Sequence, residues 1–307
     1  MSALEVTAAG ITFQNPVMLA AGTAAYGREL HGVVDLDALG GLVTKAVSVE
    51  PRKGNPSPRV AMFEGGMINA VGLANPGLDE VRRTELPWLA QHVKRAQIIV
   101  NIVGNSVDDF ETVINGLNES PGVAAYELNV SCPNVKAGGM EFGADPDALT
   151  ALVTRARNAT QRPLFVKLSP TLPKIGETAK IAVGAGADGI TVINTIPGLL
   201  IDVETRRPTI GFGSGGVSGS GLLPVGVLAT WRVRSAVDVP IIGVGGIKSA
   251  SDALQYLIAG ASLVAVGTAA LQNPRIPEQI VRDLASWCET HHITTLRSVI
   301  GSLEWPS

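Results

Sequence analysis

The sequence predicts a parallel (β/α)8 barrel, and three observations predict it. Eight short apolar runs recur without polar alternation, as strands buried on both faces do. Each is soon followed by Gly, Asn or Ser and then by a helical pattern, the rhythm of βα units. No Gly-x-Gly-x-x-Gly follows the first run, which favours closure over an open doubly wound sheet. At 307 residues the chain suits a single such domain, 1–307, since barrels of this kind take about 250 residues.

In chain order, Leu4 to Phe13 alternates weakly around Gly10 and predicts a small hairpin that plugs the barrel bottom. The strands follow at Pro16 to Ala20, Leu42 to Val47, Ile98 to Val103, Ala125 to Val130, Leu164 to Leu168, Gly189 to Ile193, Ile241 to Val244 and Leu263 to Val266. Helical spacing marks Leu78 to Lys94, Val107 to Leu117, Asp147 to Thr160, Ile175 to Ala185, Val225 to Val237 and Ala250 to Ala259, with a further helix expected over Ile293 to Leu303. Three connections, Ser48 to Gly77, Ser131 to Pro146 and Asn194 to Leu222, exceed the usual two to six residues. They follow strands two, four and six. Barrel enzymes build their sites from such loops at the C-terminal strand ends.

Bulk properties narrow the function. A formal net charge of −3 gives no basic surface for nucleic acid or an anionic membrane, so a small-molecule ligand is expected. Two distant cysteines, Cys132 and Cys288, make no disulfide framework and point to a reducing, cytoplasmic setting. The start, MSALEVTAAG, lacks the basic and apolar regions of a signal peptide. The uncharged stretch Ala253 to Pro274 is long enough to span a bilayer, but Gly260 and Gly267 divide it into helix, turn, strand and loop.

The candidate chemistry lies at the strand ends. Lys45 and Lys167 each fall within a run expected to be buried, where an ammonium is costly unless an anion compensates it. One anionic ligand at the barrel mouth would compensate both. Gly245-Gly246 and Gly267-Thr268 end strands seven and eight, where many barrels bind phosphate through backbone N–H groups. Asn69, Asn101, Asn129 and Asn194 cluster at the same end and suit a flat heterocycle with carbonyl and N–H edges. Cys132, just past strand four, is either a small buried hydrophobe or a base activated by cationic neighbours. The histidines, His31, His92, His291 and His292, fall in helical stretches with no metal-ligand spacing, so no metal is expected.

Several of these segments together resemble one family. Asn129-Val130-Ser131-Cys132-Pro133-Asn134-Val135-Lys136 with Gly138-Gly139 and Phe142-Gly143, Asn69-Ala70-Val71-Gly72-Leu73 with Asn75-Pro76-Gly77, Thr44-Lys45-Ala46, and Val244-Gly245-Gly246-Ile247 are similar to the dihydroorotate dehydrogenases. Cys132 and Lys136-Ala137-Gly138-Gly139 resemble the NAD-linked class 1B catalytic subunit rather than the membrane-associated or fumarate-using classes. The resemblance implies a TIM barrel that oxidises dihydroorotate to orotate in pyrimidine (UMP) biosynthesis. It implies FMN held by Ala21, Gly22, Lys45, Ala46, Asn101, Asn129, Lys167, Ile193, Gly219, Gly245, Gly246, Gly267 and Thr268. Orotate would meet Lys45, Asn69, Ala70, Val71, Gly72, Leu73, Asn129, Asn194 and Thr195. Cys132 would take the C5 proton, and Lys167 would sit by the flavin N1/O2 edge.

The same resemblance implies a homodimer core flanked by two electron-transfer subunits that carry FAD and a [2Fe–2S] cluster and pass electrons to NAD. This chain has too few cysteines to hold that cluster itself. It departs from the family at Ala21, where Ser is frequent, at Ala24 and Ala25, and before Pro224, where a Lys is frequent. Two other readings stay open: an FMN barrel acting on another dihydropyrimidine, as in the dihydropyrimidine dehydrogenase module, and a barrel retained only as an interaction subunit.

Overall fold

The computed structural model describes residues 3–131, 133–134 and 140–306. The chain enters through an antiparallel hairpin, β1 (Val6–Ala8) and β2 (Ile11–Phe13). Ala9 and Gly10 turn it with φ of 49° and 76°, the pair of left-handed residues that a two-residue hairpin turn requires. Barrel strands β3 (Val17–Leu19) and β4 (Gly41–Val43) follow. The long loop after β4 folds into a second hairpin, β5 (Val60–Phe63) and β6 (Gly66–Asn69). Next come β7 (Gln97–Ile102) and β8 (Val123–Asn129), and then the short pair β9 (Pro133–Asn134) and β10 (Met140–Glu141). Barrel strands β11 (Leu164–Leu168) and β12 (Gly189–Val192) lead into a loop carrying β13 (Ile196–Gly198), β14 (Ile201–Asp202), β15 (Arg207–Pro208) and β16 (Gly215–Ser218). β17 (Ile241–Val244) and β18 (Leu263–Val266) complete the ring.

The barrel closes in the order β11-β12-β17-β18-β3-β4-β7-β8, all parallel, which is the expected (β/α)8 arrangement. Around it run α1 (Leu78–Glu80), continued through a π-helical turn into α2 (Leu86–His92), then α3 (Val107–Leu117), α4 (Pro146–Ala159), α5 (Ile175–Gly184), α6 (Leu223–Arg234) and α7 (Ala250–Ile258). The short α8 (Thr268–Gln272) and the longer α9 (Ile276–Thr290) end the ring. Ser106, Asp145 and Ser249 start α3, α4 and α7 by accepting from N–H groups of the first turn, as cap residues do.

Strand parity divides the core in two. Leu164, Val166 and Leu168 of β11 pack outward with the helices, whereas Phe165 joins Met18, Val43, Ile99, Ala125, Ile242 and Leu263 inside the barrel. Val6, Ala8 and Phe13 of the first hairpin belong to that inner cluster. Gln97, the first residue of β7, donates from its side chain to the Thr12 carbonyl at 3.1 Å, so the hairpin sits at the N-terminal end and closes the floor.

Two expected elements differ. Strand two ends at Val43 rather than Val47: Thr44 still donates to the Ile99 carbonyl, but Lys45 N–H turns to the Ala25 carbonyl and the Asn101 N–H is taken by Thr44 Oγ1. Lys45 therefore lies past the strand and is half-buried. The helix expected over Ile293 to Leu303 is only one 3-10 turn, Leu296–Ser298. His292 at φ 55° breaks the chain direction after α9, and Leu296 N–H is held by the Ala3 carbonyl.

The long loops also carry structure that apolar runs do not announce. β13, β16, β6 and β5 form one antiparallel sheet, joining the loops after β12 and β4. Those two strands stand opposite each other in the ring, so the sheet bridges the barrel mouth. Among the described residues no helix is long and apolar enough to cross a membrane.

Candidate active site

Parity on the barrel strands turns Asn101 (β7), Glu127 and Asn129 (β8), Lys167 (β11) and Thr191 (β12) toward the lumen. In register, Lys167 lies between Asn129 and Thr191, and Asn101 lies beside Glu127. Lys167 is 8% exposed, and among the described residues its ammonium makes no hydrogen bond or ion pair. A buried cation without a partner is costly, and an electron-rich ligand beside it would offset that cost.

The mouth sheet brings the second set of candidates over this floor. Asn69 at the end of β6 donates to the Gly216 carbonyl at 3.2 Å. Thr195 is so close that a Cβ on Gly216 would lie 2.0 Å from its Oγ1. Thr195 N–H is held by Asn194 Oδ1 at 2.8 Å, and Asn194 Nδ2 reaches Asn129 Oδ1 at 3.5 Å. Ala70 and Val71 are fixed by Asn55, whose side chain donates to the Ala70 carbonyl and whose N–H donates to the Val71 carbonyl. Gly72 has φ 73° and Leu73 φ 55°, a conformation few branched residues adopt. Asn75 secures it by donating to the Leu73 carbonyl at 2.8 Å, and the Leu73 side chain packs on Ala46 and Val103. Backbone strain held this firmly is characteristic of binding loops.

A third group lies at the ends of β17, β18 and β3. Gly245 and Gly246 have φ of 129° and 74°, and a Cβ on Gly246 would lie 2.5 Å from Leu223 N. Among the described residues the N–H groups of Gly246, Ile247 and Gly267 have no acceptor. Thr268 Oγ1 is 2.8 Å from Ser218 Oγ, and Gly219 (φ 120°) approaches Gly66 closely, tying the mouth sheet to this corner. Ala21 and Gly22 follow β3 next to it, and Ile193, fully buried, packs near Gly245. The arrangement is a lumen floor of amides and one lysine, a lid from loops two and six, and a glycine corner suited to an anion. Cys132 lies outside the described residues. The surface hollows lined by Asp202, Thr205 and Arg207, and by Ala3, Cys288 and His292, contain none of these candidates.

Residues 3–287 match the family model described as dihydroorotate dehydrogenase. The chain belongs to the dihydroorotate dehydrogenase family. A relative from Trichlorobacter lovleyi is 44% identical over 302 residues, covering 98% of this chain and 99% of the relative. One from Desulforudis audaxviator is 45% identical over 297 residues, covering 97% and 96%. One from Geobacillus kaustophilus is 44% identical over 301 residues, covering 98% and 96%. All three bear the name dihydroorotate dehydrogenase B (NAD(+)), catalytic subunit.

Within this dihydroorotate dehydrogenase barrel, three lumen and corner residues, Glu127, Thr191 and Tyr256, escaped the sequence reading. Glu127, 1% exposed, accepts from Asn101 Nδ2 at 2.7 Å and from Thr191 Oγ1 at 2.8 Å. Tyr256 of α7, fully buried, donates to the Gly245 carbonyl at 2.6 Å and occupies the space left by Gly226 and Gly243. Burial and nearby Asp252 push its phenol above the ordinary value. An acidic residue two places before Asn129 in an apolar run was the available signal for Glu127. Tyr256 reads as one more apolar helix position and carries no such signal.

Proposed function

We propose that this chain oxidises dihydroorotate to orotate with FMN as its cofactor, in the cytoplasm, as a step of pyrimidine biosynthesis. The observation that carries the reading is the unpartnered Lys167 ammonium on a floor of amides, in the same barrel whose glycine corner has N–H groups that lack acceptors among the described residues. These residues fit a phosphate-bearing flavin: Gly246, Gly267 and Thr268 would hold the phosphate, and Lys45, Asn101, Asn129 and Lys167 would hold the ring system. Ala21, Gly22, Ala46, Ile193 and Gly219 would complete its walls. When bound, FMN supplies the acceptor for the hydride that leaves C6 of the substrate.

The chain's own residues do the rest. Asn69, Ala70 to Leu73, Asn129, Asn194 and Thr195 orient the pyrimidine through its carbonyl and N–H edges, with Lys45 beside its anionic group. The lid sheet excludes water above it. The Cys132 thiolate removes the C5 proton as general base, so that proton and hydride leave adjacent carbons and the ring gains its double bond. Lys167 steadies the charge that develops as the hydride departs.

For the acceptor, the reading is a partner subunit with FAD and a [2Fe–2S] cluster that delivers electrons to NAD, arranged about a homodimer core. It is supported by the words "catalytic subunit" and "NAD(+)" in the relatives' names, and by exposed apolar side chains at Met62, Phe63, Leu199, Val203 and Phe212. The deciding experiment is an anaerobic visible spectrum of the purified chain before and after dihydroorotate. A flavin band that bleaches supports the reading. Bleaching by dihydrouracil alone would move the substrate to another dihydropyrimidine, and a chain that stays colourless after FMN reconstitution would overturn it. In the same assay Cys132→Ala should keep its flavin and lose about 10²-fold or more in reduction rate.

A further inference from the structure

We propose that Glu127 is a positioning residue that holds the Asn101 amide with its carbonyl oxygen turned toward the barrel mouth. The proposal rests on the reading above in placing Asn101 against the flavin. Glu127 and Asn101 are register neighbours on β8 and β7, both pointing into the lumen. Glu127 is buried, with one carboxylate oxygen accepting from Asn101 Nδ2 and the other from Thr191 Oγ1. A carboxylate has no proton to give, so both neighbours must turn a hydrogen toward it.

The Asn101 backbone N–H is already held by Thr44 Oγ1 at 3.3 Å, which leaves a flip of the side-chain amide as the remaining freedom. A flip would set Oδ1 against the carboxylate, acceptor against acceptor in a buried site, and is disfavoured. Glu127 thereby commits Asn101 to one orientation. Its Oδ1 accepts from no described residue and presents an acceptor to the lumen, into which Lys167, two strands away on β11, presents a donor. A flavin's pyrimidine edge carries an N–H flanked by carbonyls, which is the complementary pattern. Glu127 touches neither ring nor substrate in this scheme and acts through Asn101.

The test titrates apoprotein with FMN, following flavin fluorescence, and measures anaerobic flavin reduction by dihydroorotate. Glu127→Ala should weaken FMN about tenfold, the scale of one lost hydrogen bond. Glu127→Gln, whose Oε1 still accepts from Asn101 while its amide N–H donates to Thr191, should restore affinity to within about threefold. The Glu127→Ala/Asn101→Ala double variant should lose no more than Asn101→Ala alone, because the two act as one unit. Normal affinity in Glu127→Ala, failure of Glu127→Gln to restore it, or additive losses would each overturn the proposal. If Glu127→Ala does not fold, Asn101→Asp decides: facing carboxylates should expel FMN, and adding Glu127→Gln should bring it back, whereas no recovery overturns the proposal. Wild-type protein that binds no FMN would instead overturn the flavin reading itself.

Discussion

At the residue scale, Lys167 is where the proposed function would be held against stability. Its side chain is enclosed in a lumen strand with no partner among the described residues, so the apoprotein bears the desolvation of a charge that none of those residues offsets. Replacement by Met keeps the volume and removes the charge. The expected outcome for Lys167→Met is an apoprotein melting temperature equal to or above wild type, measured by circular dichroism, together with flavin reduction slowed by about 10²-fold, the usual effect of removing one preorganised charge-stabilising group. A lower melting temperature with normal reduction would mark the lysine as structural. Cys288 is the contrasting case: it is buried in α9 away from the barrel lumen, and desolvation pushes its thiol up.

At the element scale, the mouth sheet and the barrel floor answer to different residues. Gly216 sits where loops two and six meet, and a valine there would drive into Thr195 and force β16 away from the segment that enters β13, disturbing the lid sheet. Gly216→Val should raise the substrate KM about tenfold or more while leaving the barrel's melting temperature within a few degrees, since the sheet lies above the core rather than in it. Elsewhere, Asp37 ties the segment before β4 to the segment before β7. Burial works against its carboxylate, but the N–H groups of Ala96, Arg95 and Lys94 outweigh burial and hold it below the ordinary carboxylate value. A depressed folded-state value contributes stability above the unfolded value of about 3.9 and loses it as pH falls through the folded one. Asp37→Asn should therefore cost about 1–3 kcal/mol in urea titrations near pH 7, with the difference from wild type shrinking below about pH 4.

At the scale of the whole molecule, the barrel is a closed ring with a filled floor and a polar upper lumen. Phe165 sits among Met18, Ile242 and the hairpin's Phe13 in that floor, fully buried. Phe165→Ala should cost about 3–5 kcal/mol by denaturant titration, the range for emptying such a site. If the upper lumen binds the flavin, FMN at 100 times its dissociation constant should stabilise wild type by about 2.7 kcal/mol in the same titration, and a chain with the glycine corner blocked at Gly246 should show no such gain.

How much of this was legible before folding follows from where the information resides. Leu164 to Leu168, Ile241 to Val244 and Leu263 to Val266 were read with their bounds unchanged, because a strand buried on both faces must be apolar at every position and glycine or serine ends it abruptly. The lysines, the asparagines and the glycine pairs were likewise visible as polar or flexible residues at those ends. Strand two was overextended, because the turn of the chain at Lys45 is made by the Ala25 carbonyl and Thr44 Oγ1, partners an apolar run does not reveal. The four-stranded sheet across the mouth joins segments about 150 residues apart through Gly216, Asn69 and Val217, which read singly as loop. Glu127 became part of the site only when β7, β8 and β12 set it against Asn101 and Thr191. Local composition determines which faces are buried and where strands end, since those depend on each residue's own solvation. Which polar groups satisfy one another depends on register and closure, and only the tertiary structure decided that.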